Sequence, residues 1–180
     1  MKLCAVVCSP REGGNTEILA QKLLASAEEM GAQTELILTA GKNLSFCDAC
    51  QSCLENGRCC IDDDMQQIHS SLIAADGIIL GSPVYFWSLS AQAKTVVDRT
   101  YALMHHRSLR NKPVGYLLVA RRSGNSTSFN TLAAFSTIHR MRIIGTINAY
   151  GRDKGDVLHD TEAMQMVAPM AKAMVKSIQS

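Results

Sequence analysis

Five of the chain's seven cysteines fall within residues 47–60. Cys47, Cys50, Cys53 and Cys59 give the spacing C-x2-C-x2-C-x5-C, and Cys60 offers an x6 alternative for the last position. Such crowding points to metal binding or redox chemistry. A compact triplet with a nearby fourth thiolate is the habit of iron–sulfur clusters. Structural zinc more often takes two separated C-x2-C knuckles. A disulfide switch is a third use, because Cys59-Cys60 stands beside three other thiols. Cys4 lies in an apolar run and reads as a small buried hydrophobe.

A second candidate site opens with Ser9-Pro10-Arg11-Glu12-Gly13-Gly14-Asn15-Thr16. Two glycines let the backbone approach an anion closely. A helix beginning at the end of this loop would add free N–H groups and a positive dipole end. Ser9, Asn15 and Thr16 can contribute hydrogen bonds, and Arg11 can contribute charge. Neither the dinucleotide fingerprint G-x-G-x-x-G nor the triphosphate loop G-x-x-x-x-G-K-[ST] is present, so a mononucleotide phosphate is the natural guest. Asn15 or Thr16 as a plain helix cap is the structural alternative.

A third group is Gly81-Ser82-Pro83-Val84-Tyr85-Phe86-Trp87-Ser88. Three adjacent aromatics there could stack on a flat ring such as isoalloxazine. They could equally plug the core under a loop. Ala120-Arg121-Arg122-Ser123-Gly124 suits the other side of the same ring, and Arg121 or Arg122 could stabilise a reduced, anionic flavin. As alternatives, both arginines are solvated surface charges.

The elements that must position these groups follow from periodicity. Residues 2–8, 34–39, 77–81, 113–120 and 142–150 read as apolar strands. Helices are expected from the end of the phosphate loop to about Met30, and over 90–104, 127–139 and 161–178. Another starts near Asp64, where Asp64 and Gln67 have capping-box spacing, with Ile68, Leu72 and Ile73 inward. Pro169 should kink or split the last helix. Residues 43–63 have neither period and form a long cysteine-rich loop of the kind that is usually functional. Alternating strands and helices imply a three-layer α/β/α sandwich on a parallel sheet. The common order is 2-1-3-4-5, with ligands at the carboxyl ends of the strands.

Length and composition bound the rest. The chain has 180 residues, which fits one domain. Its 47% hydrophobic content supports a packed core, and a net charge of +2 with scattered signs leaves no basic stripe for nucleic acid or anionic lipid. The stretch 73–89 is broken by Asp76, Gly77, Gly81 and Pro83, so no membrane helix is expected. The run 3–8 after Lys2 is too short for a signal-peptide core. A cytoplasmic location is the resulting expectation. Lys94 and Asp98 have the i,i+4 spacing of an ion pair. His105 and His106 read as surface residues, and His69, His139 and His159 carry no assigned role.

Taken together, Ser9-Pro-Arg-x-Gly-Gly-Asn-Thr, the cysteine loop ending in Ile61-Asp-Asp-Asp-Met65, Gly81-Ser-Pro-Val-Tyr85 and Lys94-x-x-x-Asp98-Arg99 resemble the NADPH-dependent FMN reductase superfamily. More narrowly they resemble its iron–sulfur flavoprotein branch. Two positions depart from the pattern: Cys8 and Ser123 stand where glycines are common. The resemblance implies a flavodoxin-like fold, FMN as cofactor and a homodimer or homotetramer. It implies that Ser9, Arg11, Gly14, Asn15 and Thr16 hold the phosphate. Pro83, Val84, Tyr85, Phe86, Trp87, Ser88, Ala120, Arg121, Ser123 and Gly124 would hold the ring. It also favours a [4Fe–4S] cluster on Cys47, Cys50, Cys53 and Cys59.

Three functions follow as expectations. The first is an electron-transfer flavoprotein, taking electrons from a ferredoxin-like donor through cluster and FMN to oxygen, peroxide or a quinone. The second is a cluster-free NAD(P)H-dependent reductase of flavin or quinone, in which hydride passes to the flavin without a protein acid or base. The third is a zinc- or cluster-bearing binding module with a degenerate flavin site, which the intact Ser9–Thr16 loop argues against.

Overall fold

The structure, a computed structural model, describes residues 1–179. Strand β1 (Lys2–Val7) leads into helix α1 (Asn15–Glu28), then β2 (Gln33–Leu38). The cysteine loop holds one helical turn, α2 (Cys53–Asn56), and gives way to α3 (Met65–Ala74). Strand β3 (Gly77–Tyr85) turns back into β4 (Ser88–Leu89), followed by α4 (Ala91–Arg99) and α5 (Tyr101–Met104). Strand β5 (Pro113–Ala120), α6 (Asn125–His139), β6 (Arg142–Tyr150) and α7 (Thr161–Gln179) complete the chain.

The sheet order is β2-β1-β3-β5-β6, and every one of these pairings is parallel. Counting parallel strands alone, this is the expected 2-1-3-4-5. The short β4 pairs antiparallel with the end of β3.

Strand β1 shows why the sheet is covered on both faces. Leu3, Ala5 and Val7 join one apolar cluster with Leu19 and Leu23 of α1 and Met170 and Met174 of α7. Cys4, Val6 and Cys8 join the other with Met65, Ile68 and Leu72 of α3 and Ala93 and Val96 of α4. Side chains alternate across a strand with period two, so a continuously apolar strand must be buried twice. Each fully buried Leu, Val or Met contributes about 1.5–3 kcal/mol. Cys4 is buried as expected, and burial pushes its thiol up to about 12, which leaves it unreactive.

Three local expectations, and the split half of a fourth, are corrected. Asp64 and Gln67 form no capping box: no side chain caps α3 from Asp64. Asp63 Oδ1 accepts from the Met65 N–H (3.0 Å), while Asp64 Oδ2 accepts from the Asn43 N–H (2.7 Å). Ile73 is half exposed, because it lies about 100° round the helix from Leu72. The helix expected over 90–104 is interrupted at Thr100, whose hydroxyl donates to Val97 O (2.6 Å). Helix α7 runs through Pro169 without splitting. Its face is anchored on both sides of the proline, by Ala163 and Val167 before it and Met170 and Met174 after it.

Candidate functional site

The strand ends create the first site. A cleft of about 330 Å³ opens where β1, β3, β5 and β6 reach their carboxyl ends. Ser9, Arg11, Gly14, Asn15 and Thr16 form one wall. Pro83, Val84, Tyr85 and Arg121 form another, and Val119, Gly151 and Arg152 close it. Among the described residues, three guanidinium groups and no carboxylate line it, a charge balance suited to an anion.

The Ser9–Thr16 loop is locally built for close approach. Ser9 Oγ accepts from the Arg11 N–H (3.1 Å), which tightens the turn. A Cβ at Gly14 would come within 3.1 Å of the Arg11 carbonyl. Gly14 is the N-cap of helix α1 and offers no side-chain cap, so the first N–H groups of the helix lack a capping side chain. Gly13 N–H is already held by Glu17 Oε2 (2.7 Å).

Asn15 is placed at the cleft, but its side chain has another task. Its Nδ2 donates to Asp153 O (2.8 Å), and its Oδ1 accepts from Gly155 N–H (2.9 Å) and Val157 N–H (3.4 Å). It thereby fastens the loop after β6 against the Ser9–Thr16 loop. Arg11 Nη1 adds a bond to Arg152 O (3.3 Å). Gly151 permits this arrangement: a Cβ there would sit 2.6 Å from Asn15 Nδ2. Sequence reasoning missed Val119, Gly151 and Arg152. The signal for two of them was present, since Gly151-Arg152 follows the last strand at its carboxyl end, where such sheets bind ligands.

The aromatic segment is a tight hairpin. Tyr85 pairs with Ser88, leaving Phe86 and Trp87 as the two turn residues. Their φ angles are 49° and 59°, the left-handed conformation that two-residue hairpins demand and that usually selects Asn or Gly. Tyr85 lines the cleft, whereas Phe86 is wholly exposed and Trp87 largely so. Phe86, Trp87, Arg122 and Ser123 instead line a neighbouring hollow with Val84 and Arg121. Ala120 is buried in β5, and Ser88 is exposed at the start of β4. Gly124, at φ 103°, lets the β5–α6 loop touch the hairpin; a Cβ there would meet Trp87 Cα at 2.8 Å.

The second site is the cysteine loop. Cys47, Cys50, Cys53, Cys59 and Cys60 all line one cleft of about 340 Å³, together with Arg99, Tyr101 and Ala102. All five thiols are free, and Cys50 Sγ lies 3.4 Å from Cys60 Sγ. Burial, and then the neighbouring thiolates of Cys59, Cys47 and Cys50, push the Cys53 thiol up, opposed by a backbone hydrogen bond. Among the described residues no three His, Cys, Asp or Glu side chains are gathered as a single-ion site.

The neck of this loop is held by charge. Arg99 is fully buried, and its guanidinium grips Asp63 through Nη1 (2.8 Å) and Nη2 (3.0 Å). Asp63 Oδ2 also accepts from the Ser45 N–H (2.8 Å). Burial pushes the Asp63 carboxyl up, but Arg99 and the Ser45 and Met65 N–H groups outweigh it and hold it below the usual range. Gln66 Nε2 donates to Cys59 O (2.9 Å) and Ile61 O (2.8 Å). The expected Lys94–Asp98 pair forms at 2.7 Å on the surface.

Comparison with known proteins identifies the family. Residues 1–154 match the NADPH-dependent FMN reductase family. An iron–sulfur flavoprotein of Methanocaldococcus jannaschii is 35% identical over 188 residues, covering 99% of this chain and 97% of the relative. One from Methanosarcina thermophila is 33% identical, covering 97% and 93%. Among solved structures, a flavone reductase superposes with a TM-score of 0.81 at 14% identity. This chain is covered completely in that match but spans only 64% of the flavone reductase. A flavodoxin from the domain Archaea superposes with a TM-score of 0.66 at 14% identity over both whole chains. On its motifs, its sheet order and its sequence relatives, the chain belongs to the NADPH-dependent FMN reductase family, as an FMN-binding flavoprotein of flavodoxin-like fold.

Proposed function

We propose that the chain is an electron-transfer flavoprotein that holds FMN in the strand-end cleft and a [4Fe–4S] cluster in the cysteine cleft. One observation carries this reading: five free thiols line a single cleft that is separate from the arginine-lined one. An all-thiolate donor set is the chemistry of iron–sulfur clusters. Thiols spread around a 340 Å³ cleft suit a body larger than one ion. Cys47, Cys50, Cys53 and Cys59 would be the ligands, in line with the family resemblance.

In the strand-end cleft the first turn of α1 and Arg11 would bind the phosphate. Tyr85 and Arg121 would flank the ring, with Arg121 favouring its anionic form. FMN supplies the redox chemistry, since it can hold one or two electrons. The donor would be a ferredoxin-like carrier and the acceptor oxygen, peroxide or a quinone. The working form would be a homodimer or homotetramer.

Anaerobically purified protein should be yellow-brown, with one FMN and about four irons per chain. FMN without iron, bleached rapidly by NADPH or NADH, would replace this reading with the second one, a cluster-free NAD(P)H-dependent reductase. The hollow beside the cleft favours that second reading, because Trp87 and Phe86 offer flat faces next to Arg121 and Arg122. Zinc without flavin would exclude both.

Gly124→Ala tests the ring side of the cleft. The added Cβ would clash with hairpin backbone and force strain at a positive φ, costing about 1–3 kcal/mol. Denaturant unfolding should show that loss, and titration with FMN should show weakened binding. Unchanged affinity would place the ring elsewhere.

A further inference from the structure

Arg99 has one donor left over. A guanidinium carries five N–H groups in a fixed fork. Nη1 donates to Ser45 O (2.6 Å) and Asp63 Oδ2, and Nη2 to Ile61 O (3.4 Å) and Asp63 Oδ1. Among the described residues the buried Nε–H meets no oxygen or nitrogen acceptor, and the sulfur of Cys59 is the group that the guanidinium feels next after Asp63. A buried donor without a partner costs about 1–3 kcal/mol, so its retention calls for a reason. Arg99 also lines the cysteine cleft, beside Cys59.

We propose that Arg99 is a positioning residue for the cysteine site: its spare Nε–H donates to the sulfur-bound group held there, and its buried charge sets how readily that group accepts an electron. This inference rests on the proposal that Cys47, Cys50, Cys53 and Cys59 hold a cluster.

The physical argument has two parts. Ser45 and Ile61 stand at the entry and exit of the cysteine loop, and Arg99 holds both carbonyls at once. It therefore fixes the span across which the thiols can reach. Arginine also stays charged at any working pH, and a charge in a water-poor site acts strongly on a neighbouring electron. A positive charge favours the reduced form, which carries one more negative charge. The fully buried Asp63 offsets part of the guanidinium charge at the fork end, but the Nε edge is left uncompensated.

The test compares wild type, R99Q and R99K, each reconstituted anaerobically with iron and sulfide and titrated with dithionite. Iron content and the iron–thiolate vibrational bands are read beside the midpoint potential. R99Q should load iron and lose about tenfold in the equilibrium for taking up one electron, about 59 mV toward negative potential. R99K keeps the charge without the planar donor, so it should fall between the two and show shifted iron–thiolate bands. If R99Q does not load, R99K decides on the same two readouts. Potential and bands equal to wild type in a loaded variant would overturn the proposal. Loss of iron from both variants would reduce Arg99 to a strut and also overturn it. Wild-type protein that takes up no iron would instead overturn the cluster itself, and this inference with it.

Discussion

Asp63→Ala is expected to destabilise the protein by about 3–5 kcal/mol, because it leaves the buried Arg99 charge without its partner. The Asp63 and Arg99 side chains are 1% and 0% exposed, so each ion relies on the other and on nearby backbone groups in place of water. Surface pairs such as Lys94–Asp98 have that escape and contribute far less. The loss should spread beyond the pair itself. Asp63 also accepts from the Ser45 and Met65 N–H groups, so the substitution uncaps α3 and opens the neck of the cysteine loop. Urea unfolding monitored by circular dichroism measures the change. A companion Asp63→Ala, Arg99→Met double variant should recover much of the stability, since removing both buried charges is often neutral. If the double variant were as unstable as the single one, the stranded guanidinium would not be the cause.

The second large effect is a loss of stability in mild acid that runs through His139. Its ring is buried at the end of α6 against Thr100, which donates its own proton to Val97 O. The Thr100 oxygen must therefore accept from His139 Nε2–H (3.1 Å). Nδ1 is buried without a partner. Burial holds the ring's pKa down to about 4, against 6.5 for the ordinary group. Above pH 6.5 the ring is neutral folded or unfolded and adds no pH dependence. Between 6.5 and about 4 the unfolded chain takes up a proton that the native state refuses, so stability falls. Below about 4 both states are protonated and the loss levels off. The whole window amounts to roughly 3 kcal/mol. His69 is depressed in the same sense by burial, so it steepens the same decline. Unfolding of wild type and His139→Gln at pH 7 and pH 4.5 isolates the contribution. The variant should lose less stability between the two pH values; an equal loss in both would clear His139.

The arrangement of the two clefts has a functional consequence. The strand-end cleft is assembled by the sheet, and its walls come from four strand ends. The cysteine cleft is assembled by a loop whose ends are stapled by Arg99, Asp63 and Gln66. If the cysteine cleft holds a cluster as proposed, changes at the loop's neck should alter iron content while leaving the strand-end cleft formed. Changes at Gly14, Gly124 or Gly151 should act the other way.

The sequence alone determined whatever depends on local period and short spacing. Residues 3–8 alternate between two buried faces, so a twice-covered parallel strand was legible from apolarity alone. The strand–loop–helix around Gly13 and Gly14 marked a phosphate turn, and the cysteine spacing marked a redox or metal site. The parallel sheet followed from the strand–helix alternation, and its order is the common one for five such strands. Tertiary structure decided whatever joins residues far apart. Nothing around Asp63 and Asp64 reveals which one caps α3, because the choice is made by Arg99, 36 residues away. Asn15 reads as a phosphate ligand, yet its side chain fastens a loop about 140 residues later. Three aromatics in a row give no sign that only Tyr85 meets the cleft; the hairpin register turns Phe86 and Trp87 outward. Local sequence sets the preferences of a backbone segment, but the partner of a buried polar group is fixed only when the crossovers bring distant elements together.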